Sequence, residues 1–593
     1  MGASSSTEQN VPTERREVET EAASAGALPM LQKAFSNLAN PETNSVPIEK
    51  LQQCLNLVYK GQSDAGNRPE LFAVLLDHWG SSIVDQFFVP TKGSINWVEF
   101  VRGYNKCCAR TSASMSLNIL LRVFHSALGR ANVPLKLEFE SDDADCKING
   151  SLLPSHVLLL LLMCWSMSWD CRSLKPSEGK VNLSPPDLNH LVLSAISSCA
   201  NIDSGFNAWD SDITSLEVEI PAGKFFTWVL STIPCLSDCL RQYFHARLQV
   251  LFTAGDESVP PNSSAGDVSF TTCDNNVLTH GRAWAIALTQ RSSINEEILD
   301  VCFPSSKDGV DDRLLYRSSA HGRGLNRFWS CVEGYKGPLL ILVAASSGDI
   351  HEGSSIDRKW ILGALTNQGF ENKDQFYGSS GCLYAINPVF HAFPLSGKEK
   401  NFVYSHLHPT GRVYEPHPKP VGIAFGGTMG NERIFIDEDF ARVTVRHHAI
   451  DKTYHHGPLF PNQNMLASLD PYSRPYLVGK GFDCCFINNW SRDEDTMNSM
   501  KQGIFPSLYY DRVCNKKLMG FLPTEASISE VEVWGLGGNV AKKVQDSYKK
   551  REELFTEQRR KVDLKTFASW DDSPEKMMMD MMSNPNAVRR EDR

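Results

Sequence analysis

The densest concentration of chemically capable side chains is a run of histidines. Eight of the 16 fall between His391 and His456, the others being His406, His408, His417, His447, His448 and His455. Imidazoles this close in sequence can ligate a transition metal, or shuttle protons together with Asp437 and Glu438. Metal sites need ligands at set spacings, and neither HExxH nor a comparable spacing organises these. They read first as surface and hydrogen-bonding groups of long loops, with a metal-dependent enzyme as the rival. The 16 cysteines are scattered, with adjacent pairs at Cys107/Cys108 and Cys484/Cys485 and no CxxC repeated at zinc spacing, as expected of reduced thiols. Cys331 and Cys382 would be redox-active only with stabilised thiolates; a buried structural thiol is the commoner outcome. No GxSxG nucleophile elbow or GxxxxGK[ST] phosphate loop occurs. GLGGNV (Gly535 to Val540) follows a strand-like run and opens a helix-like one, as a dinucleotide fingerprint does. Val540 replaces its third glycine, however, and the segment closes a domain instead of opening a βαβ unit. No cofactor and no metal are expected.

Two further patterns concern lipid and calcium. Met-Gly-Ala-Ser-Ser-Ser fits M-G-x-x-x-[ST], which makes Gly2 a candidate for myristate. One acyl chain gives marginal, reversible membrane binding; no nearby Cys or polybasic run reinforces it, so lasting membrane residence needs a protein partner. In FFVPTKGSINWVEFVRGYNK, Gly93, Ile95 and Glu99 stand at positions six, eight and twelve of a segment that resembles an EF-hand loop. Positions one, three and five are Phe88, Pro90 and Lys92, none of which can offer calcium a side-chain oxygen. DCKINGSLLPSH has Asp145, Asn149 and Gly150 in place, but Lys147 at three and His156 at twelve. Both loops therefore resemble EF-hands with degenerate calcium ligands, and Ile220 to Phe244 would be the last such helix pair. A calcium sensor is the minor alternative.

The elements that would position these groups follow from composition and periodicity. With 593 residues, 41% hydrophobic and 22% charged, the chain suffices for several packed domains. Its net charge of -10 argues against coating a nucleic acid, and none is expected as a partner. The longest apolar run, Val157 to Trp165, falls well short of the ~20 residues a membrane span needs and predicts a buried helix. Residues 1–27 are polar and read as a flexible, myristoylated tether. Residues 28–253 carry apolar residues at helix spacing, for instance Met30 to Leu38, Leu71 to Phe88 and Leu240 to Leu251. Residues 254–275, with SVPPNSSAGD, read as a linker.

Pro420 to Phe440, PVGIAFGGTMGNERIFIDEDF, organises the remainder. Two apolar runs, Val421 to Phe425 and Arg433 to Ile436, flank a turn in which Gly426, Gly427 and Gly430 supply positive φ, predicting a buried β-hairpin returned to water by Asp437, Glu438 and Asp439. Upstream lie LLYRSS (Leu314 to Ser319), KGPLLILV (Lys336 to Val343) and QFYGSSGCLYAI (Gln375 to Ile386); downstream lies SEVEVWG (Ser529 to Gly535). In this order the blocks resemble the TLDc domain, over roughly 276–538. The resemblance implies antiparallel sheets in a sandwich with flanking helices, no established reaction, association with the vacuolar-type proton ATPase (V-ATPase), and a part in oxidative-stress resistance. Asn464 to Met519 departs from the family pattern and reads as an insertion or a gene-model artefact.

From Val540 to Asp563 strong helix formers continue without a break. Val540, Val544, Tyr548, Phe555 and Val562 fall on one narrow stripe, with Gly535, Gly537 and Gly538 ahead of them as a flexible joint. Residues 539–565 are thus expected to be a basic amphipathic helix that docks on a partner through Tyr548 and Phe555, steered by Lys549, Lys550, Arg551, Arg559 and Arg560. Residues 566–593 read as a disordered tail. The fold class expected is α+β: an all-α EF-hand-like domain, a TLDc-type β-sandwich and a C-terminal helix. The function expected is a non-enzymatic peripheral-membrane adaptor or regulator, cytoplasmic and reversibly on an endomembrane of vacuole or lysosome type. Arg559-Arg560-Lys561 leaves a nuclear role open.

Overall fold

The computed structural model describes residues 10–57, 70–88, 93–108, 111–173, 185–200, 208–209, 212–253, 276–303, 313–347, 358–378, 381–394, 401–407, 419–446 and 524–571, with Lys576, Met578 and Met582. Gly2 and Asn464 to Met519 lie outside them. The N-terminal part is helical: α1 (Asn10–Ser24), α2 (Leu28–Leu38), α3 (Ile48–Cys54), α4 (Glu70–Phe87), α5 (Trp97–Cys108), α6 (Ala113–Arg130), α7 (Pro154–Ser173), α8 (Asn189–Cys199), α9 (Ala222–Thr232) and α10 (Cys239–Thr253). α2 shows why such segments fold: Met30, Leu31, Ala34, Phe35 and Leu38 recur at helix spacing and all are buried. α7 is apolar on every side and correspondingly has packing on every side. Among the described residues no helix is long and apolar enough to cross a membrane.

Short strands tie these helices in pairs. β1 (Val46–Pro47) meets β2 (Ser94–Ile95) antiparallel, with Val46 opposite Ile95. β3 (Lys136–Phe139), β4 (Ile148–Leu152) and β5 (Ile220–Pro221) form a second small sheet, in which Leu152 lies opposite Ile220. Those four apolar residues are buried, and Asn44, Gly93 and Gly150, two positions before three of them, have φ of 46°, 78° and 94°. One expectation is corrected here. Residues 10–24, expected within a free tether, form α1 and lie on α5, because α5 supplies polar partners for a polar helix. Trp97 Nε1 donates to Glu19 Oε1 at 2.6 Å, Asn105 Nδ2 donates to the Val18 carbonyl at 3.0 Å, Arg102 pairs with Glu14, and Ala22 is fully buried.

Beyond residue 275 come α11 (His280–Ala287), α12 (Ser293–Cys302), β6 (Leu314–Arg317), α13 (Ser318–His321), α14 (Leu325–Val332), β7 (Leu339–Ser347), β8 (Arg358–Thr366), β9 (Lys373–Tyr377), β10 (Gly381–Asn387), β11 (His391–Pro394), β12 (Val403–His406), β13 (Gly422–Phe425), β14 (Ile434–Asp437), β15 (Arg442–Val445), β16 (Thr524–Gly535) and α15 (Gly538–Asp571). The strands make one antiparallel sheet of 11, in the order β11-β10-β8-β7-β16-β15-β14-β13-β12-β9, with β6 beside the second half of β16. Alternation along β10 sends Cys382, Tyr384 and Ile386 to one core and Leu383 and Ala385 to another. The second core collects Ile341, Leu362 and Leu383 from one arm of the sheet with Ile423, Ile434 and Val443 from the other, so the single sheet wraps around it as a sandwich does. The first core is continuous with the helical part: α11 and α12 lie between, Trp284 Nε1 donates to Ser168 Oγ at 3.3 Å, and Arg172 pairs with Glu296 and Asp300.

The hairpin is β13–β14, with Gly422 opposite Asp437 and Phe425 opposite Ile434. Gly427, at φ 132°, is required there, since a methyl group on it would sit 2.4 Å from the Asn431 carbonyl oxygen; Gly426 precedes it at φ 64°. Arg433, expected to begin the returning strand, instead precedes it and is fully buried, its guanidinium 6.0 Å from the Phe393 ring centre. Asp437 Oδ1 accepts from the backbone N–H groups of Ala441 (2.8 Å) and Arg442 (3.2 Å), and the Glu438 carbonyl accepts from Leu325 N at 2.8 Å. These two acids close a turn and hold the start of α14. At the centre of the sheet, the fully buried Glu532 carboxylate accepts from Val277 N (2.9 Å), Leu278 N (3.0 Å), Trp534 Nε1 (3.0 Å) and Arg317.

Candidate functional site

The first turns of α15 are packed, and its turns from Lys550 to Val562 are bare. Ala541 and Gln545 are buried, and Tyr548 and Lys549 are half-buried, at the helix spacings 541, 545, 548 and 549 that define one face. That face lies on the last turn of α14 and the chain just after it, where terminal carbonyls have no helical partner. Gln545 Nε2 donates to the carbonyls of Cys331 (2.8 Å) and Glu333 (3.2 Å), and Lys549 Nζ donates to Cys331 O at 3.1 Å. The Tyr548 ring covers Gly334, where a methyl group would lie 2.4 Å from it, and its hydroxyl donates to Glu333 Oε1 at 2.9 Å. Desolvation and then the Glu333 carboxylate push the Tyr548 phenol up to about 12.

This corrects two expectations. Tyr548, expected as a partner contact, anchors α15 to its own domain. The glycines ahead of α15, expected as a flexible joint, are a close approach: Gly537 N donates to Tyr335 Oη at 2.7 Å, and a methyl group on Gly537 would lie 2.6 Å from the Ala541 methyl and 3.0 Å from Gly337 Cα. The glycines of the dinucleotide-like segment are taken up by these contacts within the chain. A carboxylate oxygen of Glu297, itself paired with Arg313, lies 3.1 Å from where a Gly538 methyl would be.

From Lys550 to Val562 every side chain is exposed. Leu554, Phe555 and Val562 are 58%, 58% and 61% exposed, and Val540 and Val544 extend the apolar stripe towards the root. Arg551 and Arg559 lie beside it, Arg560 is on the far side of the helix, and Lys561 pairs with Glu557 at 2.8 Å along the helix. The helix runs to Asp571, past the end expected at residue 565. Leu554 and Gln545 were missed by sequence reasoning. Spacing with Ala541 and Tyr548 was the available signal for Gln545.

The chemistry sought elsewhere is not assembled among the described residues, which hold no cluster of three or more His, Cys, Asp and Glu suited to a metal. His391 is half-buried, and desolvation pulls its pKa down to about 4; His406 ends β12, and the other six histidines of the run lie outside the described residues. Burial pushes the Cys382 thiol up to about 12, which removes it as a nucleophile; Cys331 is half-buried, and its carbonyl serves α15. Cys146 is the unforeseen thiol. Burial works against its ionisation, but the backbone at Ser141, the Asn118 amide and Arg122 Nη2, at 3.0 Å, outweigh burial and lower its pKa. In the paired loops, Phe88 packs on Phe100 and Phe244. Glu99 is a reciprocal cap, its Oε2 accepting from Asn96 N at 3.0 Å, and His156 Nδ1 likewise accepts from Leu153 N at 3.3 Å.

Comparison with known proteins agrees with the sheet. The TLDc domain matches residues 287–469. The mTOR-associated protein MEAK7 of Danio rerio is 26% identical over 129 residues, which is 22% of this chain and 24% of that protein, so the similarity spans about a quarter of the relative's length. β16 lies beyond the matched stretch yet occupies the middle of the same sheet.

Proposed function

We propose that this chain, which carries a TLDc domain, is a non-enzymatic peripheral-membrane adaptor that docks on a V-ATPase through the bare half of α15 and through its sheet domain, and thereby contributes to oxidative-stress resistance. The observation that carries the docking half is the exposure of Leu554, Phe555 and Val562 on a helix already fixed at its root. An isolated apolar side chain on a surface needs no explanation, but Phe555 and Val562 on one stripe, with Leu554 on the adjoining flank and Arg551 and Arg559 beside them, suit the groove of an acidic partner. The partner's identity comes from the TLDc resemblance. The name of the zebrafish relative supplies mTOR as a second candidate partner.

The helical part serves as an EF-hand-like scaffold: its loops keep the paired strands and the cap at position twelve, while side chains such as Phe88 fill the place of calcium ligands. Calorimetry on the full chain is expected to show no calcium binding at micromolar concentrations. Myristate on Gly2 gives a weak membrane bias that the protein partner makes durable. Co-sedimentation with purified V-ATPase tests the central claim, using the intact chain, a truncation after Gly538 and a Leu554→Ala/Phe555→Ala variant. The intact chain is expected to bind, the double variant at least about tenfold more weakly, and the truncation more weakly still. No binding by the intact chain refutes the partner, and equal binding by all three refutes the helix.

A further inference from the structure

We infer that α15 is a rigid arm whose direction is fixed by a socket, and that the buried Gln545 is its positioning residue. The inference rests on the docking role proposed above and specifies how the docking surface is presented. The socket is built from the last turn of α14 and the chain that follows it: the carbonyls of Cys331 and Glu333, the Glu333 carboxylate, Gly334 and Tyr335. α15 meets each of these with a different group. Gln545 and Lys549 reach the carbonyls, the Tyr548 hydroxyl reaches the carboxylate, its ring covers Gly334, and Gly537 N–H reaches the Tyr335 hydroxyl. Contacts along three successive turns fix both the tilt and the rotation of a helix, whereas one contact would fix neither.

Rotation is what decides which face the bare half displays. With Ala541 and Gln545 turned to the domain, Phe555 and Val562 stay on the flank that continues Val544, and the residues continuing the docked face are Glu552, Thr556 and Arg559. A polar continuation keeps the distal turns from folding back onto the domain. The surface that emerges is an apolar stripe beside Arg551 and Arg559, complementary to an acidic surface with a groove one helix wide. Because the arm is held before binding, the partner does not bear the entropy of ordering it, and this preorganisation is the socket's contribution to affinity.

Gln545 separates presentation from contact, since a partner cannot touch a fully buried side chain. Gln545→Glu keeps the shape but sets a carboxylate against two carbonyl oxygens; Gln545→Met keeps the length and lacks the donor, and serves if the first variant misfolds. Hydrogen exchange on the full chain is expected to be at least about tenfold faster over 541–549 and 325–334 in either variant. V-ATPase binding should fall about tenfold, equal to 1.4 kcal/mol. Phe555→Ala should weaken binding while leaving that exchange unchanged. Unchanged exchange in both Gln545 variants overturns the socket, and faster exchange with undiminished binding overturns the positioning role. Loss of neither binding nor protection on Phe555→Ala counts instead against the docking function itself.

Discussion

α7 and α15 are the two long helices that differ most in what holds them together. α7 has 20 residues, and from Val157 to Met167 almost all of them are buried, Trp165 completely. α15 has 34 residues, and from Lys550 to Val562 it is bare. α7 is a helix because burial of apolar surface, worth roughly 25 cal/mol per Å², compensates for poor amphipathicity and even for the Trp165 indole N–H, which has no partner among the described residues. α15 is a helix because Lys, Glu, Gln and Arg have high intrinsic propensity and pair along the surface, as Lys561 does with Glu557. A helix that stands without a core has no structural use for Leu554 and Phe555. Side chains of that kind on such a helix point to a partner, whereas the same types on α7 point only to packing.

Substitution of large side chains on the two helices should expose the difference most directly. Trp165→Ala removes a fully buried indole that packs against Phe303, ring centres 6.1 Å apart, and should destabilise the protein by about 3–5 kcal/mol in urea unfolding. A loss below about 1 kcal/mol would break the comparison, because α7 would then not depend on its core. An intermediate effect is expected at the buried side of the contrast when pH is lowered. His190 on α8 is buried against Phe390, and desolvation, aided by Arg282, pulls its pKa from 6.5 down to about 3. Between those values the unfolded chain binds a proton that the native protein refuses, so stability is complete above pH 6.5 and is lost as pH falls. Between pH 6.5 and 5 the loss through this group is about 2 kcal/mol. Urea midpoints measured against pH should fall less steeply for His190→Gln than for the unaltered chain; parallel curves would place the proton elsewhere. The smallest effect belongs to the bare helix: Phe555→Ala should shift unfolding stability by no more than about 0.5 kcal/mol. A larger loss would mean that the ring is covered in solution by the protein itself.

Legibility in the sequence followed the range of the interactions. The β13–β14 hairpin was readable because everything needed for it, two apolar runs and the Gly426-Gly427 turn, lies within about twenty residues. α7 announced itself through its unbroken apolar run. The direction of Tyr548 was not readable: periodicity assigns a residue to a stripe, but the Glu333 carboxylate that claims its hydroxyl lies more than two hundred positions earlier. The glycines before α15 misled for a related reason. A missing side chain serves a hinge and a tight contact equally, and Tyr335 decides between them. α1 was taken for a tether because its own residues are polar, while the groups that satisfy them, Trp97, Arg102 and Asn105, belong to α5.

β16 has a further consequence, which concerns the order of synthesis. Among the described residues it is the only strand hydrogen-bonded to both β7 and β15, so it joins the four-strand arm to the five-strand arm, and it is the last of these strands to be made. At the usual 5–20 residues per second, roughly 4 to 16 s separate the emergence of β15 from that of β16. During that interval a nascent chain carries two half-sheets with unpaired edges, the state most prone to associate with other strands. A message truncated anywhere between these strands would accordingly yield no smaller working domain, only a client for chaperones.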